Sequence, residues 1–229
     1  MRIKILGAIG QIAVSQPAYQ KHSGMMVDGQ VLCDMGEKEY LSYAPAFVLL
    51  THLHPDHAYF IKEKTSSDFP MPVFAPEPWR GSRNIRVVSA PFVQNGYRIT
   101  PIPTIHSIRV KSQGYLIEKG NCRLFYTGDM ISIPLSYHRF LAGLDAVITE
   151  ASYLRRGGIV RKGSDGCLSG HTGVPDLIDF FRKYTNHLIF THFGSWFVKD
   201  PAAGKKKIAE LGDDSIMLDV AADGKEFMI

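Results

Sequence analysis

Thr51-His52-Leu53-His54-Pro55-Asp56-His57 is the stretch whose reading decides the fold. It follows directly on the apolar run Ala46-Phe47-Val48-Leu49-Leu50. A short continuous apolar run of this kind reads as a buried strand, so the histidines stand where a strand ends. Side chains at i and i+2 of an extended chain project to one side, which lets His52 and His54 reach one cation together. A helix starting near Asp56 would then carry Asp56 and His57 to a second point close by. Imidazole nitrogen and carboxylate oxygen are ligands that zinc accepts. With nine histidines in 229 residues, so dense a pattern arises by chance in about one chain in a thousand, so metal binding outweighs a solvated histidine cluster.

One cluster cannot complete two ions, and further donors stand in the same context. His106 follows Ile102-Pro103-Thr104-Ile105, Asp129 follows Leu124-Phe125-Tyr126-Thr127-Gly128, and His192 follows Leu188-Ile189-Phe190-Thr191. Each comes directly after an apolar run, as His52 does. His22, His138 and His187 lack a motif of this kind and read as ordinary histidines.

The rest of the chain fits one domain over residues 1–229. Its hydrophobic fraction of 45% and charged fraction of 21% are those of a globular protein. The three cysteines form no Cys-x-x-Cys pair, so reduced thiols and a cytoplasmic location are expected. A net charge of +4 is too mild to indicate nucleic-acid binding by itself, though it suits a small anionic substrate. Met1 to Leu6 is basic and then apolar, but Gly7, Gly10 and Gln11 interrupt it; it reads as a first strand and its turn, not an export signal. No run approaches the ~18 apolar residues of a membrane span.

Strand signals dominate the first two-thirds. Asp28-Gly29 marks a hairpin turn within Met25–Cys33. Segments 85–88, 97–101, 114–118, 122–126, 146–149 and 188–191 read as further short strands. Helices are expected over Pro175–Lys183 and Pro201–Leu211, each opening on a proline suited to a first turn, with a third beginning near Asp56. The mixture favours sheets packed on each other and covered by helices, an α/β fold.

In the order and spacing of these motifs, the chain resembles the metallo-β-lactamase superfamily over nearly its whole length. The markers are Asp34-Met35-Gly36, Thr51 to His57, His106, Thr127-Gly128-Asp129 and Thr191-His192-Phe193. The resemblance implies a four-layer αβ/βα sandwich with two divalent metal ions along one edge. It implies that His52, His54 and His106 hold the first ion, that Asp56, His57 and His192 hold the second, and that Asp129 bridges them. Asp34 would support the ligands from behind. Zinc is the first expectation, and manganese or iron suits the same donors.

The second half is most similar to the ribonuclease Z and cyclic-phosphodiesterase branch. Thr149-Glu150-Ala151-Ser152 resembles its His-Glu-Ala-Thr segment, and Gly170-His171-Thr172 its Gly-His-Ser-Thr segment. Glu150 and His171 would inherit a pair beside the leaving group. Asp56 would serve as ligand and general base, the attacking group being a metal-bound hydroxide. The chain departs from that branch in having Thr149 for the histidine, no Pro-x-Lys-x-Arg-Asn after His106 and no long Gly/Pro-rich arm between Asp129 and His192. A small phosphodiester is therefore favoured over a nucleic acid. Tyr153, Arg155, Arg156, Arg161 and Lys162 form a glycine-rich basic segment, expected as a mobile loop able to bind phosphate. Gly194, Ser195 and Trp196 are candidates to wall the site. Two alternatives stand beside this reading: a carbonyl hydrolase for a lactone, thioester or β-lactam, and a metal-binding protein with little turnover. A homodimer is common among proteins of this kind.

Overall fold

The structure, a computed structural model, describes residues 1–63 and 68–229. In chain order, β1 (Arg2–Gly7), β2 (Gly24–Val27), β3 (Val31–Cys33), β4 (Phe47–Leu49), β5 (Val73–Ala75) and β6 (Ile85–Val87) form one sheet, with helix α1 (Phe60–Glu63) between β4 and β5. Then β7 (Phe92–Gln94), β8 (Tyr97–Pro103), β9 (Gln113–Lys119), β10 (Cys122–Tyr126) and β11 (Ala146–Ala151) begin a second sheet. A separate ribbon, β12 (Ile159–Lys162) and β13 (Leu168–His171), precedes helix α2 (Val174–Phe181). The second sheet is completed by β14 (His187–Phe193) and β15 (Met217–Val220), with α3 (Ser195–Val198) and α4 (Pro201–Ala209) between them. Finally β16 (Glu226–Met228) returns to the first sheet beside β1.

Both sheets follow one pairing scheme. Along β16-β1-β2-β3 the neighbours are antiparallel, and along β3-β4-β5-β6 they are parallel. Along β7-β8-β9-β10 they are again antiparallel, and along β10-β11-β14-β15 parallel.

The core follows from the two-residue period of the strands. Ile3, Ile5, Met25, Val27, Val31, Cys33, Phe47 and Leu49 pack in one apolar cluster with Ile99, Tyr115, Ile117 and Phe125 of the second sheet. The intervening Met26, Leu32 and Val48 form a second cluster with Tyr40 and Phe60, on the other face of the first sheet. Both faces of β2, β3 and β4 are dry, which is why the sequence there shows apolar runs instead of alternation. Leu177, Ile178 and Phe181 of α2, with Phe197 and Ile208, join the larger cluster over the second sheet. Helices outside two facing sheets give the expected four-layer αβ/βα arrangement. Among the described residues, no helix is long and apolar enough to cross a membrane.

The Asp28-Gly29 hairpin and the two proline-started helices form where expected, α4 with Asp200 accepting from the Ala203 N–H at 3.0 Å. Two expectations are corrected. No helix starts at Asp56: the Met35 N–H donates to the His57 carbonyl and the Tyr59 N–H to the Met35 carbonyl, so the backbone is engaged with β3's extension and helix begins only at Phe60. The segment expected as a mobile loop is in part a paired strand, Ile159–Lys162, in register with Leu168–His171.

Asp223 ties the loop between β1 and β2 to the connection between β15 and β16. Its carboxylate accepts from the N–H groups of Ala8, Gln20 and Lys21 at 3.0, 2.7 and 3.1 Å. Asp223→Ala leaves these donors without that acceptor and should lower stability by about 1–3 kcal/mol in urea unfolding.

Candidate metal centre

The donors come from strand ends along one edge of the two sheets. His52, His54, Asp56 and His57 follow β4, Asp129 follows β10, Glu150 lies near the end of β11, and His192 is on β14. His106 lies beyond β8 and His171 ends β13. Among the described residues five groups have ligand atoms within 4.8 Å of one another: His52, His54 and His106; His52, His57 and Asp129; Asp56, His57 and His192; His106, Asp129 and His171; and Asp129, Glu150 and His192. Asp129 connects them, with Oδ2 3.7 Å from Nε2 of both His52 and His106, and Oδ1 3.2 and 3.4 Å from Nε2 of His57 and His192. The Asp56 carboxylate lies 3.2 Å from His192 Nε2 and 3.9 Å from His57 Nε2.

Four of the imidazoles are held from behind. His57 Nδ1 donates to Asp34 at 2.7 Å and His106 Nδ1 to the Gly170 carbonyl at 2.9 Å. His52 Nδ1 is 3.0 Å from the Thr51 hydroxyl, and His192 Nδ1 3.1 Å from that of Ser152. Protonation at Nδ1 leaves the Nε2 lone pair facing the cluster, the arrangement that orients metal ligands. His54 is turned the other way, with Nδ1 3.2 Å from His106 Nε2. Buried polar atoms are normally paired, yet His52 Nε2, His57 Nε2 and Asp129 Oδ1 have no hydrogen-bond partner among the described residues. These orphaned atoms converge on the same space. The donor set fits divalent cations.

The electrostatics agree. Burial and neighbouring imidazoles hold His52 well below the usual histidine value, and burial with His106 brings His54 down to about 4. Both are therefore neutral donors near pH 7. Burial raises Asp56, but the His192 hydrogen bond and the charges of His57 and His192 more than reverse it, and Asp129 is likewise pulled down by His192 and His57. Burial also opposes charge on His57 and His192, and the carboxylates outweigh it, so both are raised. As cation ligands both imidazoles would have to be neutral at Nε2.

Asp34 is fully buried at a left-handed φ of 59° and accepts from the Thr51 N–H, His57 Nδ1 and the Tyr126 hydroxyl, each at 2.7 Å. Beside the donors lies a second pair. His171 Nδ1 donates to Glu150 at 2.8 Å, and Glu150 also accepts from the Met130 N–H at 2.7 Å. Burial opposes the imidazolium, but Glu150 and Asp129 raise His171 to about 9.

The cleft over the donors, about 300 Å³, is walled by Tyr153, Gly194 and Ser195 and by Gly10, Gln11 and Ile12. The sequence reading missed the last three and the role of Ser152. Gly10 carries the one available signal: a Cβ there would lie 2.7 Å from His192 Cε1, so the backbone must be bare where it crosses that ring. Trp196 instead donates to the Ala151 carbonyl. Arg155 and Arg156 do not line the cleft: Arg155 Nε bonds the Gly158 carbonyl, and Arg156 pairs with Asp176 and Asp179 on α2. His22 pairs with Glu37, His138 bonds the Ile133 carbonyl, and His187 lies 3.1 Å from Asp219, all outside the cluster.

No protein-family model and no curated protein sequence matches the chain. Solved structures do. The metallo-β-lactamase fold protein YhfI from Bacillus subtilis matches at 19% identity, with 99% of this chain and 98% of that one covered and a TM-score of 0.69. A diphosphatase from the PhnP family matches at 18% identity, covering 100% and 97%, with a TM-score of 0.69. The short form of human tRNase Z matches at 16% identity, covering 100% and 99%, with a TM-score of 0.66. This chain has the metallo-β-lactamase fold, as its motifs led us to expect.

Two outcomes follow. Asp34→Ala strips partners from a buried imidazole, a buried hydroxyl and a buried N–H; it should cost about 3–5 kcal/mol in urea unfolding and weaken metal retention on dialysis about 10–100-fold. Zn²⁺ added to chelator-treated protein should raise the thermal midpoint, by mass action on the folded state, and His192→Ala should reduce that rise in differential scanning fluorimetry.

Proposed function

We propose that the protein is a cytoplasmic metal-dependent hydrolase that cleaves small phosphodiesters. In this reading His52, His54 and His106 would hold one zinc ion, Asp56, His57 and His192 would hold a second, and Asp129 would serve both. Manganese or iron would suit the same donors. Free thiols at Cys33, Cys122 and Cys167 fit a reducing compartment.

The observation that carries the choice of a phosphodiester is the Glu150–His171 pair beside the donor cluster. When bound, the ions supply a nucleophile from water near neutral pH and neutralise charge developing on phosphoryl oxygens. The chain supplies the rest. Glu150 holds the His171 ring by Nδ1, so the Nε2 proton is the one offered to a substrate. An alkoxide leaving group needs that proton; general acid help of this kind contributes about 10²–10⁴-fold. Asp56 would serve as a ligand and as general base toward the attacking water. The similarity in fold to a diphosphatase and to a tRNase Z supports phosphate chemistry.

The test is turnover of bis-p-nitrophenyl phosphate by metal-analysed protein with added Zn²⁺ or Mn²⁺. Metal-dependent turnover is expected, and His171→Ala should lower kcat about 10²–10⁴-fold without changing metal content. Because p-nitrophenol leaves readily, an alkyl ester should show the larger loss. Absence of turnover by protein carrying about two metals per chain would move the assignment to carbonyl substrates.

A further inference from the structure

The β12–β13 ribbon gives the cleft an arm that the ligand cluster does not need. Ile159 pairs with His171 and Arg161 with Ser169 across it. Residues two apart on a strand share a face, so Arg161 and Ser169 stand on the side of the ribbon that carries His171, about 7 Å further along. These four residues, with Ser107 beyond His106, line a pocket of about 230 Å³ that opens from His54, His106 and His171.

The ribbon is fastened to the donor cluster. The Gly170 N–H donates to the His106 carbonyl at 2.8 Å, and the Gly170 carbonyl accepts from His106 Nδ1 at 2.9 Å. Gly170 has a φ of 126°, and a Cβ on it would lie 2.0 Å from the Ile159 carbonyl oxygen, so this close double contact requires glycine. A basic side chain on the ribbon is therefore held at a fixed distance from the site.

Among the cations of segment 153–162, Arg161 alone lines the pocket. Arg156 is neutralised on α2, Arg155 turns back on Gly158, and Lys162 alternates to the opposite face. Arg161 has no ion-pair or hydrogen-bond partner among the described residues, and no acidic residue lines this arm. The other arm, at Gly10, Gln11, Ile12, Gly194 and Ser195, carries no charged side chain beyond the donor cluster. The cleft is thus electrically lopsided.

We propose that Arg161, with Ser169 and Ser107, binds a second anionic group, a phosphate or carboxylate, on the leaving-group alcohol of the substrate. This rests on the phosphodiesterase reading for its orientation: the oxygen that takes the His171 proton leads directly onto the ribbon face. The uncharged arm takes the other ester substituent. The favoured substrate is then an asymmetric phosphodiester whose departing alcohol is itself an acid.

Binding tests this separately from turnover. Titration calorimetry on the zinc-loaded chain compares 3-phosphoglycerate with glycerol 3-phosphate, which differ by the carboxylate. The wild type should bind 3-phosphoglycerate about tenfold more tightly. Arg161→Ala, an exposed position, should equalise the two by weakening 3-phosphoglycerate alone, and Arg161→Lys should restore part of the difference. Equal affinities in the wild type, no binding of 3-phosphoglycerate, or a preference that survives Arg161→Ala would each overturn the proposal, the last because the carboxylate would then be reaching the metal ions. Loss of the phosphodiesterase reading shows differently: bis-p-nitrophenyl phosphate is not turned over, while an Arg161-dependent preference in binding remains.

Discussion

One buried carboxylate fixes the edge on which everything else is built. Asp34 stands just past β3 of the first sheet, and Tyr126, the last residue of β10 in the second, donates to it. The same carboxylate takes the first N–H of the donor segment, at Thr51, and the back of the His57 ring. A non-glycine residue at positive φ is strained. Here the strain is held by partners in both sheets, so neither sheet edge can shift without breaking hydrogen bonds that water does not replace. The positions of the imidazoles are a consequence: they are aimed by groups behind them, and what they converge on is left without a protein partner.

The repeated pairing scheme places that device in context. In each sheet, three antiparallel pairings lead to a central strand, β3 or β10, and three parallel pairings lead away. Asp34 and Asp129 follow these corresponding strands. One has become an internal brace and the other faces the donors. No trace of this repetition is visible in the sequence, because strand pairing constrains burial and period and leaves residue identity free.

That difference explains what was legible. The histidines and aspartates that the structure brings together stood out because few residue types serve as cation ligands, and those types stood directly after apolar runs. Glu150 and His171 were readable only through resemblance; by themselves they are one acid and one histidine 21 positions apart. The helix expected at Asp56 failed because Met35, distant in sequence, takes up the local backbone groups. The ribbon was read as a loop because Gly157, Gly158, Gly163, Gly166 and Gly170 mask a short strand, and its facing could not be known before its register. The Gly10–Ile12 wall carries no cation-binding residue type, and at Gly10 it contributes bare backbone.

The pairing of Glu150 with His171 has a further reason in the charge balance of the edge. Divalent cations held by this cluster would bring positive charge close beside the His171 imidazole. Placed there alone, His171 would be neutral near pH 7, as like charge and burial both disfavour the cation. Glu150 is almost fully buried and keeps its carboxylate against Nδ1, with Met130 N–H fixing its second contact. Its field therefore opposes that of the cations at short range, in surroundings where water screens little. Removing the glutamate would take away both the acceptor that orients the ring and the charge that keeps it an acid. A site for carbonyl cleavage has less use for that arrangement when its leaving group needs no proton, whereas an alkoxide expelled from phosphorus does.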